Sequence, residues 1–237
     1  MDVIVLAKEP VPGRVKTRLC PPCTPAAAAL LAEAALADTL DAACASGADR
    51  VVLALDGSPG PWCPRLVEIV DQGSGGLDQR LTRAWSATRG PALQVGMDTP
   101  QVSAGELDHG MDRLLAPDVD AVLGPATDGG WWAIGLRRPH PLAFTGIPTS
   151  RPDTGRRQHE RLQALGLRTS PLGTHTDVDC WADAIAVADR WPDNRFAAAV
   201  QRLRLGRHLR LTDDCDDERH HGGRRASRST RDAVDAR

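Results

Sequence analysis

Lys8 and Lys16 are the only lysines among the 29 Lys and Arg residues of this 237-residue chain. Both lie in one N-terminal stretch, VIVLAKEPVPGRVKTRL, residues 3–19. Arginine fills every other basic position, so two lysines kept so close together mark a place that needs a compact ammonium. An ammonium suits a single phosphate oxygen, whereas the planar guanidinium fork suits a carboxylate clamp. Pro10-Val11-Pro12-Gly13 forces an irregular loop, since Pro fixes φ and Gly reaches conformations closed to other residues. With Arg14, Lys16, Thr17 and Arg18 behind it, the loop reads as an anion cradle.

Acidic and glycine-rich segments recur further along. Gly73 to Arg80 (GSGGLDQR) opens a predicted helix and would turn backbone N–H groups and Arg80 toward an anion. Asp98, in GMDTP, and Asp128, in GPATDGG, each close a short apolar run, the second on a glycine-flanked turn that something large could approach. Asp177-Val178-Asp179 precedes a helix. Alternation in an extended segment sends Asp177 and Asp179 to opposite sides, so one of them, not both, would join Asp98 on an ion. One or two carboxylates completed by water and phosphate oxygens is a donor set for Mg²⁺. Asp98 is expected to be a lone carboxylate, repelled by its acidic neighbours until a cation arrives.

Positioning these groups falls to short apolar runs that alternate with helical stretches. Strands are predicted at 3–6, 50–55, 66–70, 92–96, 121–124 and 131–136, with an extended segment at 167–172. Helices are predicted at 26–45, 77–88, 103–115 and 154–165, with a C-terminal helical region from 181 to about 210. Thr24-Pro25 gives the first helix its N-cap and first-turn proline. The pattern implies an α/β fold: a Rossmann-like, mostly parallel sheet with helices on both faces and ligands at the strands' carboxyl ends. Residues 1–211 form the expected domain. Residues 212–237, nearly free of apolar side chains, read as a disordered charged tail.

A net charge of −2 calls for neither nucleic acid nor an acidic membrane surface. No apolar run approaches the ~20 residues that span a bilayer. Met1–Ala7 is too short for a signal-peptide core, so a cytoplasmic location is expected. Cys20-Pro21-Pro22-Cys23 has redox-motif or half-zinc-site spacing, but no second pair accompanies it. Two small apolar residues before a helix is the reading adopted.

KEPVPGRVKTRL, VGMDTP, LGPATDGGWWAIGL, FTGIPTS and TDVD, in that order, resemble a bacterial transferase family of the GT-A nucleotide-diphospho-sugar transferase fold. That family is often described as a domain of unknown function or a glycosyltransferase associated with radical-SAM selenoproteins. The chain is also similar to phospholactate guanylyltransferase and molybdenum-cofactor nucleotidyltransferases. The resemblance spans residues 3 to about 190 and implies that Lys8, Gly13, Lys16 and Arg18 line nucleotide phosphates, with Gly76 to Arg80 bordering the nucleotide. It implies Mg²⁺ or Mn²⁺ on Asp98 and on Asp177 or Asp179, and Asp128, Gly129 and Gly130 facing acceptor or sugar. Trp131 stands where that family commonly has Tyr; a sugar stacks on either, but a hydroxyl role is lost.

The activity so implied is glycosyl transfer from a nucleotide-diphosphate sugar to a small-molecule acceptor, with Lys16, Asp98 and Asp128 at the chemistry. Nucleotidyl transfer with release of pyrophosphate is the second reading, and a non-catalytic nucleotide-binding protein the third.

Overall fold

Alternation along β1 (Asp2–Lys8) sets up two layers of core. Val3, Val5 and Ala7 face one side of the sheet and Ile4 the other, all of them buried. A computed structural model of the chain describes residues 1–206. The chain divides into two units, Met1–Gln201 and Arg202–Arg237; the first contains the whole sheet. The expected domain end at 211 and the charged tail 212–237 lie outside the described residues.

The remaining strands are β2 (Arg50–Asp56), β3 (Glu68–Asp71), β4 (Ala92–Gly96), β5 (Ala121–Pro125), β6 (Trp131–Leu136) and β7 (Thr169–Pro171). They form one sheet in the order β3-β2-β1-β4-β6-β5-β7. Neighbours run parallel except where β6 meets β4 and β5. Only residues 126–130 join β5 to β6, far fewer than the dozen or so a parallel crossover needs, so the chain must double back. That reversal brings the start of β6 to the same edge as the carboxyl ends of the other strands.

Helices α1 (Pro25–Ala45) and α3 (Ala104–Leu115) cover one face. Leu36 and Leu40 of α1 and Leu107, Met111 and Leu114 of α3 pack on Val5, Leu53, Leu93 and Val122. Helices α2 (Leu77–Ser86) and α4 (Thr154–Ala164) cover the other, where Leu81, Trp85, Phe144 and Leu162 meet Ile4, Ala54, Leu123 and Ile134. Each fully buried leucine of this kind contributes about 2 kcal/mol. Thr24 caps α1 by accepting from Ala27 N at 3.2 Å, with Pro25 in the first turn, as the sequence predicts.

Boundaries move where turns intervene. Strand β3 starts at Glu68, two residues later than predicted, because Val67 N closes a turn on Pro64 O at 3.2 Å. The C-terminal helical region is interrupted: α5 (Trp181–Arg190) stops before Pro192. Helical residues resume at 195, where Asn194 Oδ1 accepts from Ala197 N and Asp38 from Phe196 N, both at 2.8 Å. Among the described residues no helix is long and apolar enough to cross a membrane.

Candidate functional site

The loop after β1 folds back over the carboxyl edge of the sheet and carries Lys16 inward. Lys16 is in the left-handed region, φ 48°, a conformation uncommon for a residue with a side chain. Its side chain is 7% exposed, and Nζ lies 2.7 Å from Asp98 Oδ1 while donating to Val178 O. Asp98, just past β4, is therefore not a lone carboxylate as the sequence suggested. Its side chain is half-exposed, but its charge is already matched by Lys16. Arg18, exposed on the same loop, pairs with Asp179 at 2.7 Å.

The segment 172–179 is a strap that brings in the last acidic groups. Leu172 N donates to Leu123 O at 2.9 Å and Val178 N to Asp98 O at 2.9 Å. Trp132 Nε1 donates to Gly173 O at 2.8 Å, and Gln101 Nε2 to Thr176 O at 2.7 Å. At its centre buried His175 meets Glu106 Oε1 at 2.9 Å and packs edge-on against Trp132. Glu106 also closes the capping box of α3 with Ser103, and the hydrogen bond from His175 holds its carboxyl down to about 2. Sequence reasoning missed this pair. A histidine amid polar residues and a glutamate in a first helical turn each look ordinary alone.

Held this way, Asp177 and Asp179 diverge as the alternation predicts. Asp179 goes to Arg18, and Asp177 sits partly buried beside Asp98 and Asp128. Burial, then repulsion from Asp98 and Asp128, pushes the Asp177 carboxyl from its ordinary 3.8 up to about 7, against a lowering by Lys16. One ammonium does not match three carboxylates. Asp177 is thus the member of the pair on the Asp98 side.

Toward β3 the surroundings change. Arg80, at the start of α2, pairs with Asp56 at 2.5 Å and donates to Gly75 O at 3.2 Å. Its guanidinium is thereby engaged by the protein itself. Gln72, 2% exposed, donates through Nε2 to Ala7 O at 2.7 Å and Ala54 O at 2.8 Å. One overlooked signal marks Gln72 in the sequence, a polar residue directly after a strand and before Gly73.

On the other side, the β5–β6 turn is built from backbone. Asp128 Oδ1 accepts from Gly130 N at 2.8 Å, and Gly129 has φ 87°. A Cβ on Gly129 would meet Pro152 O at 2.0 Å, and one on Gly155 would meet Gly130 O at 2.4 Å. Gly155 N donates to Gly129 O at 2.8 Å. The large group that approaches this glycine turn is the chain's own 152–155 segment.

One cavity of about 770 Å³ joins these parts. Lys8, Lys16, Arg18, Arg80, Asp98, Asp128, Gly130, Trp131, Asp177 and Asp179 all line it, together with Arg14, Gln72 and Trp132. Gly13, Gly76 and Gly129 do not line it: Gly13 supplies a left-handed turn, φ 78°, and Gly76 is the N-cap of α2. Among the described residues no three His, Cys, Asp or Glu side chains converge as a metal cage. The donor set still fits a hard divalent ion. Asp98 and Asp177 supply two carboxylates with excess negative charge, and such an ion takes its other ligands from water and phosphate.

The model of a family of uncharacterized proteins conserved in bacteria, DUF2064, matches residues 29–151, more than half of the chain. The chain belongs to this family. No curated protein matches it. Among solved structures, it is similar to a candidate nucleotide-diphospho-sugar transferase from Desulfovibrio desulfuricans G20, with TM-score 0.76 and 23% identity over 88% of this chain and 95% of that one. Rv0371c from Mycobacterium tuberculosis H37Rv gives TM-score 0.51 and 19% identity over 78% and 96% of the two chains. A CMP:2-keto-3-deoxy-manno-octonic acid synthetase complexed with CTP gives 0.51 and 11% over 78% and 95%. The fold of this family member is thus GT-A-like, that of nucleotide-diphospho-sugar transferases, as the motifs implied.

Proposed function

We propose that the protein is a divalent-metal-dependent transferase that takes a glycosyl group from a nucleotide-diphosphate sugar and passes it to a small-molecule acceptor. The observation that carries this reading is the meeting, in one cavity at the strand ends, of a basic loop with an acidic trio that one ammonium leaves undercharged. The fold shared with a candidate nucleotide-diphospho-sugar transferase supports it.

Asp98 and Asp177 would hold Mg²⁺ or Mn²⁺, which when bound offsets charge on the departing diphosphate. Arg14, Lys16 and Arg18, on the loop after β1, bind and orient the diphosphate. Their charge favours the leaving group most strongly as it develops, which is an electrostatic contribution rather than a covalent one. Lys16 must exchange part of its contact with Asp98 for a phosphate oxygen. Lys8 lines the same region from the end of β1. Asp128 Oδ1 is engaged by Gly130 N, so Oδ2 is the atom placed to take the proton of an acceptor hydroxyl. Trp131 offers the sugar a flat face.

A second reading, nucleotidyl transfer to a phosphorylated acceptor, is favoured by the three cations on one loop, which suit a leaving pyrophosphate. The purified protein with Mg²⁺ is offered nucleotide-diphosphate sugars in one series and nucleoside triphosphates in another, without acceptor. Slow release of nucleoside diphosphate and free sugar from the first series supports glycosyl transfer. Pyrophosphate from the second alone replaces it with the nucleotidyl reading. Turnover of neither, with no nucleotide binding, leaves the fold without the proposed activity.

A further inference from the structure

Two buried polar side chains, His175 and Gln101, take no part in the chemistry proposed above, and neither lines the cavity. Both tie the segment that carries Asp177 to the one that carries Asp98. Asp98 stands at the start of the connection from β4 to α3, and Glu106 lies in the first turn of that helix. The strap 172–179 runs against this connection. Three cross-ties join the two: Val178 N donates to Asp98 O at 2.9 Å, Gln101 Nε2 to Thr176 O at 2.7 Å, and His175 Nε2 to Glu106 Oε1 at 2.9 Å. They fall on residues 175, 176 and 178, so Asp177 is bracketed on both sides.

The bracket works against a repulsion. Asp177 faces Asp98 and Asp128, and Lys16 leaves the trio undercharged. Like charges so placed push the strap outward. Apart from the bridge between His175 and Ala126, the strap has no strand or helix of its own to resist. Gln101 makes its tie at a cost. Its Oε1 is buried without a hydrogen-bond partner, a state that lowers stability. An apolar side chain of the same shape would avoid that cost and forfeit the bond to Thr176 O. His175 is gripped more firmly, its ring edge-on to Trp132 with centres 4.6 Å apart. A carboxylate only accepts, so Nε2 carries the hydrogen that Glu106 receives. Glu106 is held in turn by the capping box with Ser103, which anchors the strap to a helix.

We propose that Gln101 and His175, the latter through Glu106, are positioning residues that set the spacing of the Asp98 and Asp177 carboxylates and so favour a small divalent cation. This rests on the metal-binding reading above. Groups behind metal ligands commonly govern affinity by about ten- to a hundredfold. Mg²⁺ demands a tight octahedral shell, whereas Ca²⁺ accepts a looser and more variable one. A carboxylate pair held at fixed spacing favours the smaller ion. A pair free to part loses that preference.

The test uses the full chain and the metal itself. Free Mn²⁺ is followed by electron paramagnetic resonance, and Mg²⁺ or Ca²⁺ is added to displace it; the series is repeated with GDP and with UDP present. Gln101→Met keeps the shape and removes both the tie and the unpaired oxygen. His175→Phe keeps a ring against Trp132, and His175→Gln keeps a donor for Glu106. Gln101→Met and His175→Phe should each bind Mn²⁺ about tenfold more weakly, and His175→Gln should stay within about threefold of the parent. In the first two, Mg²⁺ should lose at least about threefold more affinity than Ca²⁺. The melting temperature of Gln101→Met should stay within about 2 °C of the parent. Unchanged Mn²⁺ affinity in Gln101→Met and His175→Phe overturns the proposal and leaves the metal site standing. Equal losses of Mg²⁺ and Ca²⁺ overturn it too. A parent that binds no Mn²⁺, with or without nucleotide, overturns the metal reading itself. Should His175→Phe fail to fold, Gln101→Met decides.

Discussion

The two flanks of the cavity are held by different means. Around β1 and β4, three ion pairs tie the chain together: Lys16 with Asp98, Arg18 with Asp179, Arg80 with Asp56. Around the β5–β6 turn, the main connections are backbone against backbone, made possible by Gly129 and Gly155. A region locked by ion pairs can exchange partners when a ligand of the right charge arrives, with little movement of the chain. A region locked by close backbone approach keeps its shape whatever binds, and its side chains, Asp128 and Trp131, are carried rather than gripped. The comparison assigns electrostatic adaptability to the nucleotide flank and fixed shape to the acceptor flank.

Asp98→Asn should do most to break the first half of that contrast. Lys16 would keep only Val178 O and a neutral amide, so a nearly buried ammonium loses its counter-charge. Stability should fall by about 1–2 kcal/mol, less than for a wholly buried pair because Asp98 is half-exposed. Nucleotide should still bind weakly through Arg14, Lys16 and Arg18, but the enhancement by Mg²⁺, expected at tenfold or more, should vanish. Melting curves and titrations with and without Mg²⁺ read both effects. An unchanged metal response would remove Asp98 from the metal site.

Gly129→Ala tests the second half. The residue has φ 87°, and a methyl group would lie 2.0 Å from Pro152 O, so the 152–155 segment must retreat. A loss of roughly 2–3 kcal/mol is expected, with nucleotide affinity in Mg²⁺ almost unaltered. Tolerance of this variant would mean that the acceptor flank is as adaptable as the other.

Asp177→Asn gives a smaller effect with a pH signature. The folded pKa of about 7 lies above the ordinary 3.8, so the folded state retains a proton that the unfolded chain has released. Stability of the parent therefore declines as pH rises from about 4 to about 7 and levels off above that. The variant should melt higher than the parent at pH 8, by on the order of 2 kcal/mol, and level with it near pH 4. Mg²⁺ should raise the melting temperature of the parent at pH 8 more than that of the variant. A pH-independent difference would mean that Asp177 is not the strained member of the acidic trio.

Local chemistry explains which parts of this architecture were legible in sequence. Strand β1 and helix α1 announce themselves through an apolar run and a Thr-Pro cap, and the charge bias between them through Lys8 at the strand's end and Lys16 in the loop. Asp98 could be singled out because a strand ends beside it, and the Asp177-Asp179 pair because a helix begins just after it. What sequence does not encode locally is pairing across the sheet. That Asp98 meets Lys16, that Asp179 goes to Arg18, and that Arg80 turns to Asp56 all depend on strand order. The same holds for His175 with Glu106, 69 residues apart in the chain. The antiparallel β6 was implicit in the five-residue connection that precedes it, yet a run of apolar residues says nothing about direction. The glycine-flanked turn at Asp128 reads as room for a ligand, because a sequence shows that a close approach is permitted and not what approaches.

Trp131→Ala should have the smallest effect, and it sharpens the comparison most finely. Trp131 is partly buried at the start of β6 and packs at the margin of the α2/α4-side core, so truncation should cost about 1 kcal/mol of stability. If the acceptor flank is a fixed frame that carries Trp131 as a platform for sugar, removing the ring leaves the frame intact. Affinity for a nucleoside diphosphate with Mg²⁺ should then stay within threefold of the parent. Affinity for the matching nucleotide sugar should fall five- to tenfold, closing any gap between sugar-bearing and sugar-free ligands. A matched fall in both affinities would place Trp131 on the base or phosphates instead, and the division of the cavity into two flanks would have to be redrawn.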